Sequence, residues 1–464
     1  MRVTNKMLSN NMMLGLNKNM NQLNKLYDQM NSLKKIQRPS DDPIILGRSL
    51  KLRLNVLETD QYKTNVGEAR SWMEITEKAI DNTHEIVNSI RHELVQAANG
   101  PLGTEDRKKI LETVKQLKNQ LIQESNANYA GRHVFGGYKT DTKVLFDKPV
   151  EKKPAIRFEQ KFTEKDIEAV GYREEEYYRI RLPYGDIDTD TMDWEGNLTV
   201  EVVESTDLLD ENKLDQTNPE DSYFHPNKGR AYFMRDTGEL ILSKEDAEAY
   251  MKDGHTFTIS YSKSKFKEGD PNPEIFFNAM EPADPKDPVT YTDPKSPQRI
   301  EYEIGIGTKM DINVLGKDLF DPLTLRDIDE LIAILDSYDT VEDQINNKEL
   351  KNPNDPTEGY KPHRSKDETI NLSKLFSAGI GKMDESLKKV SSQQADLGSR
   401  MRRLKLTEKR LGDDEISYTE LLSRTEDVEL EEAFIDFNTQ YMVYQSALQV
   451  TAKVVQPTLM DFLR

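Results

Sequence analysis

The chain has 464 residues, no cysteine and a net charge of -19, and its 32% of charged residues leave no run apolar enough to span a membrane. The missing cysteines exclude disulfides, thiolate catalysis and cysteine-ligated zinc. Residues 1–60 carry ten Lys and Arg against five Asp and Glu, so they hold +5 and the rest of the chain -24. An acidic body argues against general nucleic-acid binding, which needs a broad basic face.

The first predicted element is an amphipathic helix at the front of the chain. Its apolar residues alternate in steps of three and four, which is the seam of a coiled coil. These residues are Met13, Leu16, Met20, Leu23, Tyr27 and Met30. Residues 1–33 also hold six Met, ten Asn and Gln and only five charged residues. The back of this helix is therefore nearly uncharged, and we expect a partner to cover it. The start lacks the apolar run of a cleavable signal peptide.

A proline-marked joint follows the front helix, and we predict that it acts as a hinge. It consists of Arg38, Pro39, Ser40, Asp41, Asp42 and Pro43. Pro39 favours an extended backbone at the residue before it, and Pro43 suits the first position of a new helix with Asp42 as the N-cap.

Two long helices are predicted after the joint. The four-three rhythm continues through Val66, Ala69, Met73, Thr76, Ile80, Thr83, Val87, Ile90, Leu94 and Ala97. Asn99-Gly100-Pro101 ends this helix, and Thr104 suits the N-cap of the next one. The second helix has its own apolar row, Ile110, Val114, Leu117 and Leu121. The pair is expected to form an antiparallel hairpin.

The middle of the chain changes to a period of two, which predicts half-buried strands. Alternation occurs at 178–182, 198–202, 257–261, 300–304 and 310–314, and Asp236-Thr237-Gly238 separates two further apolar runs. Sixteen of the 20 prolines lie between Pro149 and Pro362. We expect a β-rich insert, with either an irregular loop or an extension of that insert at 271–297, and a return linker at 352–362.

Beyond the insert, the helical rhythm returns and lasts to the end of the chain. One row, which completes the helical bundle, consists of Met383, Leu387, Val390, Leu397, Met401, Leu404 and Leu411. The final row consists of Phe434, Phe437, Tyr441, Tyr444, Leu448, Ala452, Val455, Leu459 and Phe462. The last 32 residues carry only four charges. Either the two chain ends pair within one subunit, or neighbouring subunits also cover them, and contacts that do not close into a ring would build a tube.

These patterns predict a mainly α fold, a long antiparallel helical bundle or coiled coil made from both chain ends, with a β-rich central insert. We expect residues 1–40 with 433–464 to be assembly helices, 41–145 with 363–432 to form the bundle, and 146–362 to face outward.

No constellation able to support catalysis, a cofactor or a metal ion is found. His84-Glu85 and His92-Glu93 each lack the second imidazole that a zinc-protease helix needs. Asp186, Asp188 and Asp190 resemble the start of a calcium loop, but its glycine and its final glutamate are missing. The basic run at 400–410 interleaves with apolar residues and is typical of a solvated helix face. The chain is therefore predicted not to be an enzyme and to need no cofactor.

Four segments, in order, resemble the FlgL family of flagellar hook-filament junction proteins, which is related to flagellin. They are RPSDDP at 38–43, AGRHVFGGYKTDTKVLF at 130–146, IEYEIGIGTKMDINVLGKDLF at 300–320 and the C-terminal segment 421–464. Residues 150–299 contain little that matches.

The resemblance implies a secreted, extracellular structural subunit of the bacterial flagellum. Such a subunit is exported unfolded by the flagellar type III route with an export chaperone, and joins the hook-associated protein FlgK to flagellin. It would self-assemble into a ring or tube with its terminal helices innermost. We expect those ends to be largely disordered before assembly. The alternatives are a flagellin filament subunit, a coiled-coil secretion-tip protein or adhesin, and an extracellular metalloenzyme with flagellin-like ends.

Overall fold

The computed structural model describes residues 5–36, 38, 42–99, 104–172, 175–188, 193–194, 198–203, 226–253, 256–280, 289–293, 298–333, 335 and 367–455. The chain divides into two compact units. Unit 1 comprises residues 1–67, 303–309 and 404–464, and unit 2 comprises residues 68–302 and 310–403. The three-part division predicted from the sequence concerns layers of an assembly, and it stays a prediction.

Helices dominate both ends of the described chain. They are α1 (Asn5–Ser32), α2 (Pro43–Asn99), α3 (Thr104–Ser125), α4 (Lys244–Asp253), α5 (Pro273–Phe276), α6 (Gly316–Leu319), α7 (324–333), α8 (Asp367–Glu426) and α9 (Leu430–Val455). A short 3₁₀ turn also occurs at Glu164–Asp166. The mainly α fold is confirmed.

The strands lie between α3 and α8. They are β1 (Asn128–Tyr129), β2 (Arg132–His133), β3 (Val150–Phe162), β4 (Ile167–Tyr172), β5 (Glu175–Arg181), β6 (Asp193–Trp194), β7 (Thr199–Val203), β8 (Arg230–Met234), β9 (Glu239–Leu242), β10 (Phe257–Phe266), β11 (Asn278–Met280), β12 (Thr290–Thr292), β13 (Glu301–Gly305) and β14 (Thr308–Asp311). The strands from β3 onward confirm the predicted β-rich insert, whereas β1 and β2 lie before its predicted start at residue 146.

Two five-stranded sheets form most of the insert. Their strand orders are β11-β12-β3-β10-β6 and β4-β5-β9-β8-β7. In the first sheet, β3 and β10 pair antiparallel from Phe257 opposite Phe162 to Phe266 opposite Val150, and β12 lies parallel to β3. In the second sheet, β7 is parallel to β8 and the other pairs are antiparallel. The remaining strands form the two hairpins β1-β2 and β13-β14.

The long helices bury the rows that the sequence predicted. From Val66 to Leu94, every predicted α2 position is buried, and three of the four α3 positions are buried as well. Within unit 2, polar contacts connect α2 to its neighbours. Asn82 donates a hydrogen bond to Glu124 of α3 at 3.0 Å, and Gln394 of α8 donates one to Asp81 at 2.7 Å. The predicted hairpin and its third helix are confirmed.

The turn between β8 and β9 shows why one glycine is required in the insert. Gly238 has a φ of +64°, and a Cβ at this position would lie 2.0 Å from the carbonyl oxygen of Tyr184. A side chain would therefore meet both backbone strain and a backbone clash. The predicted turn at 236–238 is confirmed as the connection of a hairpin.

Of the two alternatives for 271–297, an irregular loop or an extension of the insert, the described residues match the extension. Asn272 caps α5 by accepting a hydrogen bond from the Glu274 amide at 3.2 Å, with Pro273 at the first turn, and β11 and β12 pair beyond it. The many prolines favoured a loop, but the segment contains a capped helical turn and a Thr-Tyr-Thr strand of high β-propensity. Residues 281–288 and 294–297, and the predicted linker at 352–362, lie outside the described residues.

Candidate assembly surface

The helices of unit 1 are interrupted at two places along the chain, and these two interruptions lie side by side. α1 ends at Ser32 and α8 ends at Glu426, so residues 33–35 lie beside residues 426–428. The Val428 amide donates to the Leu33 carbonyl oxygen at 3.0 Å, and the Lys35 amide donates to the Glu426 carbonyl oxygen at 2.5 Å. Lys34 and Asp427 thereby form an antiparallel bridge, which we call the joint.

Glu426 connects the joint to α2. Its carboxylate accepts two hydrogen bonds from Arg53, at 2.5 and 2.6 Å, and one from Lys34 at 3.3 Å. The Ser49 hydroxyl donates a further bond. The residue is only 6% exposed, and a buried carboxylate is tolerated when it is paired in this way. The Arg53 hydrogen bonds lower the pKa of Glu426 to about 2, against the opposing effect of burial.

The predicted hinge motif lies next to this joint. Asp42 caps α2, because its Oδ1 accepts hydrogen bonds from the amides of Ile44 and Ile45 at 2.9 and 3.1 Å, and Pro43 is the first helical residue. This local geometry matches the prediction. Arg38 is described, whereas residues 39–41 lie outside the described residues. A hinge role for the motif stays a prediction.

Beyond the joint, α1 and α9 pack antiparallel against each other. We call this pair of helices, which come from opposite ends of the chain, the α1/α9 hairpin. The rings of Tyr27 and Phe437 are 6.2 Å apart, and Gln440 donates to the carbonyl oxygen of Asn19 at 3.5 Å. The half-buried row of α1 is Met12, Leu16, Asn19, Leu23, Leu26 and Met30. The facing row of α9 is Ala433, Phe437, Gln440, Tyr444, Ala447 and Thr451, all buried or half-buried.

The predicted seam therefore divides into covered and exposed residues. The structure places Leu16, Leu23, Met30, Phe437 and Tyr444 on the covered rows. It leaves Met13, Met20, Tyr27, Phe434, Tyr441, Leu448 and Ala452 exposed beside them. The side chain of Val455, and residues Leu459 and Phe462, lie outside the described part of the chain. The coiled-coil spacing agrees equally well with the covered row and with the exposed row beside it, because both helices carry apolar residues on several sides.

Exposed apolar side chains on α9 are not confined to one face. Phe434, Tyr441 and Leu448 form one row, whereas Ile435 and Met442 lie about a third of a turn away, and Val443 lies on yet another side. Large contiguous apolar surface on a soluble protein marks an interaction site. The α1/α9 hairpin is therefore the candidate assembly surface.

The sequence analysis missed further exposed apolar residues in unit 1. Leu50, Leu54 and Leu57 lie exposed along α2, Leu406 and Ile416 along α8, and Ile306 at the tip of the β13-β14 hairpin. The spacing of the three leucines, four and then three residues, could have revealed their shared face. The prediction instead started its α2 row at Val66.

No helix within the described ranges is long and apolar enough to cross a membrane. Across the same residues, no group of three or more His, Asp or Glu side chains is arranged to hold a metal ion.

Two family descriptions match the helical ends of the chain. "Bacterial flagellin N-terminal helical region" matches residues 3–140, and "Bacterial flagellin C-terminal helical region" matches residues 380–463. Both ends of the chain are therefore similar to the helical regions of flagellin. The joint and the α1/α9 hairpin lie in these two matched regions.

Proteins of similar sequence support the resemblance seen in the motifs. "Flagellar hook-associated protein 3" of Salmonella typhimurium is 27% identical over 142 residues, which is 30% of this chain and 45% of that protein. "Flagellar filament 30.7 kDa core protein" of Treponema maltophilum is 31% identical over 128 residues, 27% of this chain and 44% of that protein. The chain thus spans less than half the length of these relatives.

Among solved structures, "flagellar junction protein FlgL" from Legionella pneumophila is similar over 83% of this chain and all of that chain, at 14% identity and a TM-score of 0.34. The resemblance to the FlgL family that the four motifs indicated is confirmed, because the relatives include flagellar hook-associated protein 3.

Proposed function

We propose that this chain is a structural subunit of the bacterial flagellum, at the junction between the hook and the flagellin filament. The observation that carries this proposal is the α1/α9 hairpin, which presents exposed apolar residues on several sides within the two matched regions. A monomer that remained alone would leave this surface in water. The relatives named flagellar hook-associated protein 3 favour the junction over the filament.

The partners follow from that position. The subunit contacts copies of itself, the hook-associated protein FlgK on the hook side and flagellin on the filament side. It reaches the cell exterior by flagellar export, with an export chaperone covering its apolar ends beforehand. In this role the chain acts by packing and is not an enzyme. Glu330 and Glu426, whose pKa values are lowered, belong to ion pairs, and burial raises the pKa of Tyr184.

The second candidate is a flagellin filament subunit. Flagellar filament proteins of Treponema are also similar to this chain, at 30–31% identity over 114–128 residues. The two functions differ in how many copies each flagellum contains and where the copies lie.

Immunogold labelling of intact cells distinguishes these functions. A single spot at the base of each filament is the expected result for the junction subunit. Label along the whole filament would overturn the junction proposal in favour of flagellin. No label on flagella at all would refute both candidates.

A further inference from the structure

One position in the buried row of β10 holds a lysine. Along this strand the side chains of Phe257, Ile259 and Tyr261 alternate with more exposed residues, and all three are buried. Lys263 is next in that row and is only 1% exposed. Lysine is almost never fully buried without a partner, because its ammonium group loses its hydration there. The surroundings of Lys263 must therefore replace that hydration.

Oxygen atoms from other parts of the insert surround the amino group of Lys263. Its Nζ donates hydrogen bonds to the carbonyl oxygens of Gly185 and Asp186, the second at 3.4 Å, and the carboxylate of Asp270 lies 3.8 Å away. The ring centroid of Tyr184 lies 5.8 Å from Nζ, within the range of a cation-π contact. Burial lowers the pKa of Lys263, and the charge of Asp270 opposes this shift. Carbonyl and carboxylate oxygens are also the ligands that calcium receives in proteins.

The two carbonyl groups belong to residues 182–188, which we call the connector. Its Ile187 amide donates to the carbonyl oxygen of Arg235, just after β8, at 3.0 Å. Its Asp188 amide donates to the carbonyl oxygen of Ser262 of β10 at 2.9 Å. The connector is thus bonded to the second sheet on one side and to the first sheet on the other, and the buried lysine lies where the two meet.

The connector is also the segment whose sequence resembles the start of a calcium loop. The carboxylate of Asp186 pairs with Lys267 at 2.5 Å, and the carboxylate of Asp188 accepts a hydrogen bond from the Ser264 amide. Both carboxylates are therefore engaged by groups of the chain itself. The cation that the connector encloses comes from β10.

We propose that the ammonium group of Lys263 is a built-in cation that takes the place of a bound ion, closes the connector and clamps the two sheets of the insert together. Removal of this group should leave a pocket that accepts a small external cation. The inference is independent of the proposed function, because it concerns the insert alone. A tethered cation cannot be removed by dilution or by a chelator, so this region keeps its shape whatever the ionic composition around it.

The absence of other cysteines allows the terminal group at position 263 to be exchanged chemically. The full-length variant K263C would be alkylated while unfolded, either with 2-bromoethylamine or with 1-bromopropane, and then refolded. The first reagent rebuilds a side chain of the same length with a terminal ammonium group, and the second gives the same length with a terminal methyl group. We expect the aminoethyl protein to melt within about 2 °C of the wild type, and the propyl protein about 6 °C or more lower.

The matched control is K265C, which replaces an exposed lysine of the same strand. Its aminoethyl and propyl forms should melt within about 1 °C of each other. Equal melting temperatures of the two K263C proteins would overturn the proposal, because the terminal cation would then contribute nothing. An aminoethyl protein that melts as low as the propyl protein gives that same result.

Amide hydrogen exchange locates the effect. In the propyl K263C protein, peptides covering 182–188 and 235–238 should exchange at least about tenfold faster than in the aminoethyl protein, because the connector has lost the group that closes it. Peptides covering 150–162 of β3 should exchange at the same rate in both proteins. Acceleration spread evenly over the insert, or none in the connector, would contradict a clamp at this place.

A small external cation tests the pocket directly. Ethylammonium chloride at about 50 mM should raise the melting temperature of K263A by about 3 °C or more. The same salt should change the wild type and K265A by less than about 1 °C, because their pocket is already filled by Lys263. No rise for K263A, or an equal rise in all three proteins, would overturn the pocket. The alkylated pair decides the role of the charge where K263A does not fold.

Discussion

Replacing Glu426 by Gln should weaken the joint by an amount that depends on pH. The carboxylate has a pKa of about 2 in the folded chain, compared with its ordinary value of 4.5. At 1.36 kcal/mol for each pKa unit, this gap corresponds to roughly 3 kcal/mol. The side chains of Arg53 and Lys34 are 56% and 42% exposed, so solvent screens part of the interaction. We therefore expect E426Q to lower the free energy of unfolding by about 1–2 kcal/mol at pH 7.

The sign of the pH dependence follows from the lowered pKa. A carboxyl whose folded pKa lies below its unfolded pKa stabilises the fold above about pH 4.5, and this contribution is lost as pH falls towards about 2. The difference between wild type and E426Q should therefore be largest near neutral pH and less than half as large at pH 3.

Urea unfolding followed by circular dichroism, at pH 7 and at pH 3, measures both quantities. Hydrogen exchange of peptides covering 27–36 and 424–430 then shows whether the loss is located at the joint. The control is E420Q, which removes an exposed carboxylate from the same helix and should cost less than about 0.5 kcal/mol. Equal stabilities of E426Q and wild type at pH 7, or a difference that grows as pH falls, would refute the reasoning.

Three further predictions concern the ends and the insert. Deleting 433–464 should abolish assembly while the α2/α3 bundle still melts cooperatively in a calorimetric scan; loss of cooperative melting would argue against separable layers. In the free full-length monomer, α1 and α9 should exchange their amide hydrogens rapidly, and they should become protected in isolated flagella; protection in the monomer would contradict folding on assembly. G238A should lower the free energy of unfolding by about 2–4 kcal/mol because of the clash with Tyr184, whereas G229A, with a φ of +81° and no atom within 4 Å of a Cβ, should lose only about 1 kcal/mol; equal losses would show that the clash is relieved by a small shift.

The sequence predicted the helices well where a single face is buried. The α2 row from Val66 to Leu94 has polar residues on its other faces, so the period alone identified the buried side. The same argument worked for the alternating strands, since β10 buries every second residue over most of its length.

The choice of face on α1 and α9 could not be predicted from the sequence. Met12 and Met13 are both apolar, and so are Leu26 and Tyr27, so a shift of one residue gives an equally good seam. The structure covers Met12 and Leu26 more than their neighbours because these residues face α9. The uncharged backs of the two helices, by contrast, were a correct indication that one partner helix leaves apolar side chains exposed.

The buried charges in the insert also gave no signal in the sequence. Arg179 and Arg181 alternate with apolar residues along β5, and a half-buried strand would place such residues in solvent. Both side chains are instead only 3% exposed, and they pair with Glu168 of β4 and Glu330 of α7. Burial raises the pKa of Glu330, but the adjacent Arg179 outweighs it and leaves that pKa at about 2. The partners are 11 to 151 residues away along the chain, so only the folded topology reveals them.

The paired breaks at the joint have a mechanical consequence for a subunit that carries load. At the joint, residues 33–35 and 426–428 are held side by side by two backbone hydrogen bonds and by the ion pairs of Glu426 with Lys34 and Arg53. A force applied to α1 or to α9 therefore reaches two covalent connections at once, the one into α2 and the one into α8. Each connection carries part of the tension, and twisting one helix of the hairpin twists the other with it.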